Sequence, residues 1–250
     1  MQTSRVALVA RGIALLAAAL FVLGPLTIQL GLLGPEPGFR AFMLGGLLGV
    51  VSLLLGGLGL FFTRPAAGGN GRGPALMACG IGGAILAVIL ATAGPTASVP
   101  PINDITTNLD DPPAFHRVLE LEGNQGREMG YPAEFAEPQR EGYPDLASIA
   151  LRRPPAEVLD RVEAAVNEFG WALVDRDDAA NRIEASETSG IFRFVDDVVV
   201  RVTPASVGSL VDIRSKSRVG RSDLGANAAS RDSSTPSASR YAPDARGLLH

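Results

Sequence analysis

Cysteine, histidine and lysine are almost missing from this chain of 250 residues. One cysteine, Cys79, excludes a disulfide framework, and it lies inside an apolar run. Two histidines, His116 and His250, are too few to build a zinc-type site with it, so no metal is expected. Lys216 is the single lysine among 22 basic residues. Arginine usage this one-sided reflects a GC-rich bacterial genome and carries no functional reading. No serine stands in a nucleophile-elbow pattern, and no cofactor is expected. A basic domain is missing too: the net charge is −4, which argues against a nucleic-acid partner.

Charge is also missing locally, and there the absence becomes a signal. The stretches 13–33, 41–62 and 75–93 hold no charged residue. Each has the roughly 20 residues that a helix needs to cross a bilayer. The first is too long for a secretory signal, and two more follow it. Residues 1–95 are therefore expected to form a membrane domain of three helices, with Pro25 kinking the first. That part carries five arginines and one acid, against 17 basic and 25 acidic residues in 96–250. Arg5, Arg11, Arg64 and Arg72 flank the first span and the loop after the second, while no Lys or Arg follows Arg72 until Arg117. Excess arginine marks the cytoplasmic side. The expected location is thus a bacterial inner membrane, crossed three times, with the C-terminal part in the periplasm.

Small residues recur at steps of three and four along the second and third spans. Gly45, Gly49 and Gly56 lie in one and Gly83 in the other. Such stripes let helix backbones touch. They either join spans two and three within one chain, or serve a homo-oligomer or a membrane-protein partner.

Beyond the bilayer, prolines mark 96–113 as a linker, either a semi-rigid stalk or a strap along the domain. Residues 114–229 read as a small α+β domain with an antiparallel sheet. Pro155 opens a helix whose apolar positions Val158, Leu159, Val162, Val166 and Phe169 share one face, and Gly170 ends it. Strands are expected at 171–175, 182–186, 191–202 (broken at a turn-forming Asp196-Asp197) and 209–217. In the last, Val211 and Ile213 alternate with Arg214, Lys216 and Arg218. This alternation predicts an exposed cationic strip which, with Arg221, would bind an anion or a partner. The same arginines could instead pair with acids such as Glu184, Glu187 and Asp223 and fix the sheet. Residues 230–250 have the composition of a disordered tail.

Several of these segments carry a resemblance: Pro101-Ile-Asn-Asp-Ile-Thr-Thr107, Tyr143-Pro-Asp-Leu146, Phe192-Arg-Phe194, Asp196-Asp-Val-Val-Val-Arg201 and, above all, Asp212-Ile-Arg-Ser-Lys-Ser-Arg-Val-Gly-Arg-Ser-Asp-Leu-Gly-Ala-Asn-Ala228. Between Pro100 and Ala229 the chain resembles the domain of unknown function 1499 family, whose members often have spans ahead of the domain. The resemblance implies no reaction. After Ala229 the chain departs from the family's pattern. Two function classes remain from the residues alone. The first is a non-enzymatic envelope module that binds a protein partner or an anionic envelope component. The second is an envelope hydrolase with a carboxylate–arginine pocket.

Overall fold

The computed structural model describes residues 4–64, 71–93 and 100–219. Arg221, the tail 230–250 and the first residues of the linker lie outside the described residues. The chain divides into two compact units: the N-terminal helices together with residues 190–193, and the sheet domain.

Three helices make up most of the first unit: α1 (Arg5–Gln29), α2 (Pro35–Phe62) and α3 (Arg72–Ala93). All three are long and apolar enough to cross a membrane. Each starts ahead of its apolar run, because helical geometry continues into polar flanks while hydropathy marks only the length that matches hydrocarbon. Pro35 opens α2 in its first turn, where no N–H is needed. Side chains are sorted by size. Ala7, Ala10, Ala14 and Ala17 of α1 are fully buried, whereas Leu23, Leu47, Leu54 and Leu90 are exposed. Small residues inside and leucines outside is the arrangement of helices that pack in lipid, and the inverse of a water-soluble core.

The glycines of α2 serve both neighbours. A Cβ on Gly45 would lie 2.5 Å from Phe21 N and 2.9 Å from Ala17 O of α1. One on Gly49 would lie 2.8 Å from Ile85 Cγ2, and one on Gly56 would lie 3.0 Å from Ala75 O, both in α3. Gly83 is different from its expected role: nothing stands within 4 Å of its added Cβ. Gly82 makes the contact instead, since its Cβ would sit 2.5 Å from Gly49 O. One residue along a helix is about 100° of rotation, enough to turn a position away from its neighbour.

The second unit is an antiparallel sheet of β1 (Asp104–Thr106), β2 (Ile149–Leu151), β3 (Ala172–Asp177), β4 (Arg182–Thr188), β5 (Val195–Pro204) and β6 (Ser209–Ser217). The order is β1-β6-β5-β4-β3, and β2 lies on the same edge of β6 as β1. Helix α4 (Ala136–Gly142) precedes β2, and α5 (Pro155–Glu168) follows it. The apolar face of α5 buries Val158, Leu159 and Val166 against Val198, Val200 and Ile213 of the sheet. Gly170, at φ 69°, turns the chain out of α5.

Two expectations change here. The proline-rich stretch read as a linker supplies β1, so the sheet begins at Asp104 rather than after residue 113. Asp196 and Asp197 form no turn either. They lie inside an unbroken β5, where Asp197 pairs in register with Lys216 and Ser186. Adjacent acids favour a turn only where they can stay in water, and Asp197 has buried partners.

Candidate functional site

The sheet's second face carries the polar residues, and it is not open to solvent. Residues 107–147, with three 3-10 turns and α4, cross it and pack Phe115, Val118 and Met129 onto Val199. Arg214 and Lys216, expected on an exposed strip, are only 2% and 5% exposed. Their partner is Asp104 of β1, which the register sets opposite Lys216. Arg214 holds Asp104 with both arms of its fork, Nε donating to Oδ1 at 2.9 Å and Nη2 to Oδ2 at 2.8 Å. It also donates to the carbonyls of Pro113 at 3.0 Å and Met129 at 2.8 Å. Lys216 Nζ donates to Asp104 Oδ2 at 2.9 Å. One buried carboxylate therefore serves two buried cations, and both cations also tie down the covering layer.

The pattern repeats across the face. Arg218 donates to Asp197 at 2.7 and 2.9 Å, and Asp197 accepts further bonds from Asn124 and Ser186. Glu184 accepts the backbone N–H groups of His116 and Val118 at 2.8 and 2.9 Å. Arg182 Nε lies 3.1 Å from Glu184, too bent for a hydrogen bond but close enough to pair. Arg201 bridges Asp212 and Asp111. Buried charge is tolerable only when paired and hydrogen-bonded, and here alternate residues on adjacent strands supply both signs. The expected partners were partly different: Glu184 pairs with Arg182 rather than with Arg214, Lys216 or Arg218, and Asp223 lies outside the described residues.

Two clefts border this face. One, of about 750 Å³, is walled mainly by apolar residues, including Leu109, Phe115, Leu119, Met129 and Tyr131, with Arg127 and Arg214 also lining it. The other, of about 530 Å³, is polar and gathers His116, Arg117, Asp175, Asp177 and Arg182. Burial, reinforced by Asp104, pushes the Tyr131 phenol up to about 12, and its hydroxyl donates to Gln139 at 3.1 Å. Asp177 is held below the usual carboxylate range, chiefly because it accepts the Ala180 N–H. No group of His, Cys, Asp and Glu among the described residues is arranged to hold a metal.

Sequence reasoning named Arg214, Lys216 and Arg218 but missed Asp104, Asn124, Arg127 and the aromatic wall. Asp104 stood among prolines and read as linker. Arg127 and Tyr131 lie in a stretch without periodicity, so nothing in their spacing marked them.

Residues 104–232 match the model of a family described as protein of unknown function (DUF1499), just over half of the chain. The chain belongs to the DUF1499 family. The match opens at Asp104, the first residue of β1, so the DUF1499 domain includes the strand that neutralises its own β6. The motif that begins at Asp212 runs through β6 and supplies Arg214 and Lys216, with Arg218 just past the strand. No curated protein and no solved structure matches the chain.

Proposed function

We propose that this chain is a non-enzymatic protein anchored in the bacterial inner membrane, whose DUF1499 domain lies in the periplasm and binds a protein partner or an envelope component. The observation that carries the binding role is the cleft of about 750 Å³, a size in the ordinary range of ligand sites and walled by apolar side chains. The cations first expected to bind an anion directly are engaged: Arg214 and Lys216 with Asp104, and Arg218 with Asp197. Recognition therefore falls to the cleft, which of these three only Arg214 lines. Arginines around the first span and after the second support the orientation.

The hydrolase reading draws on the polar cleft, where carboxylates and arginines meet at His116. It is the weaker one. A carboxyl held low, as Asp177 is, is a poor proton donor near neutral pH.

Leu119 is exposed and lines the apolar cleft. A photo-crosslinking residue placed there in the full chain in living cells should give a discrete adduct. Ala133→Trp, on the same wall, should fill the cleft and remove it. No adduct, or one indifferent to Ala133→Trp, would overturn the cleft as the binding site.

A further inference from the structure

The charges around the apolar cleft are unevenly paired. Arg127, Arg214, Lys216 and Arg218 stand over Asp104 and Asp197. Glu128 also lines the cleft and accepts the N–H of Gly130. Arg127 donates to Asn124 Oδ1 at 2.7 Å and to the Ser217 carbonyl at 2.9 Å, both uncharged. Among the described residues no carboxylate pairs with it. Burial draws its pKa below the ordinary arginine value, and Arg218 adds to that against the opposing pull of Asp197. Arg218 is bonded to Asp197, while Arg214 and Lys216 share the one carboxylate of Asp104.

Arg214 adds a second donor. Four of its five N–H groups are taken by Asp104, Pro113 and Met129, which leaves one hydrogen on Nη1. Arg127 and Arg214 both line the cleft, and Leu109, Phe115, Leu119, Met129 and Tyr131 form its apolar walls.

We infer that the cleft takes an amphiphilic monoanion, an acyl-type apolar body bearing one carboxylate, with the head at Arg127 and Arg214 and the chain along Phe115, Met129 and Tyr131. The guanidinium of Arg127, which bonds no acid among the described residues, can take a negative charge, and its planar fork suits a carboxylate. The walls would take an apolar chain out of water. The inference rests on the reading that this cleft is a binding site and adds the chemistry of what fills it.

The test uses the full chain in phosphatidylcholine nanodiscs, with calorimetric titration of octanoate and empty nanodiscs as the blank. Octanoate should bind saturably, one per chain. Octanol, which lacks the charge, and acetate, which lacks the chain, should each bind at least about tenfold more weakly. Octyl phosphate, which carries up to two charges, should fall behind octanoate as pH rises through its second ionisation. Arg127→Gln should weaken octanoate roughly tenfold while the full chain stays folded, since it breaks no ion pair and gives up only the bonds to Asn124 and the Ser217 carbonyl. Ala133→Trp should abolish binding. Octanoate that does not saturate above the blank, or that ignores both variants, would overturn the inference. So would octanol binding as tightly. If octanoate fails while the Leu119 adduct forms and is lost in Ala133→Trp, the binding role stands and only the ligand class falls.

Discussion

Asp104 holds two cations with one carboxylate, and no other described side chain on the face carries that burden. Asp104→Asn should therefore leave Arg214 and Lys216 buried without an acid. We expect a loss of roughly 3–5 kcal/mol, the scale for breaking a buried pair from one side, read as a fall in the denaturation midpoint of the full chain. Arg214→Gln with Arg218→Gln should also lower the melting temperature, because Asp197 then loses its arginine and Asp104 keeps only Lys216. Tyr131 offers a pH test. Its folded pKa of about 12 lies above the ordinary 10.0, so the neutral phenol is the form the fold favours. That contribution is complete below about pH 10 and is lost as pH rises through about 12. Ultraviolet titration should show a late-ionising tyrosine that Tyr131→Phe removes, and a phenol titrating at its ordinary value would refute the buried environment.

At the scale of elements, alternation was legible and coverage was not. The period-two pattern of β5 and β6 correctly separated Val198, Val200 and Ile213 from Arg201, Arg214 and Lys216. What it could not tell is that the polar side would be roofed. Period two reports which residues share a face, and a face full of paired charges looks in sequence like a face full of solvated ones. Helix α5 was legible for a similar reason: one apolar stripe, proline at its start and glycine past its end each have a local physical cause. In the three apolar helices the stripe of small residues was visible, but its angular position was not. Gly82→Leu should therefore disrupt the α2–α3 contact, where the backbone of Gly49 stands in the way, while Gly83→Leu should be tolerated. Gly49→Leu with Gly56→Leu should act like Gly82→Leu. Accumulation in membranes and thermal melting would check all three, and equal behaviour of the Gly82 and Gly83 variants would reject the contact.

For the whole molecule, orientation is the property with the simplest test. Alkaline phosphatase fused after Ala229 should be active and fused after Arg72 silent, and the reverse would sink a periplasmic C-terminal domain. The three apolar helices, the α+β class and the DUF1499 resemblance could all be read without coordinates. Hydrocarbon thickness sets span length, and side-chain alternation sets strand faces, so both are written into contiguous residues. The partners of Arg214, Lys216 and Arg218 were decided only in three dimensions. Asp104 lies more than a hundred residues from Lys216 in the chain, yet antiparallel pairing of β1 with β6 sets them opposite each other. The cleft is likewise a product of tertiary structure. It exists because an irregular layer with no repeating pattern folds over a charged sheet, and its shape depends on contacts that no local spacing encodes.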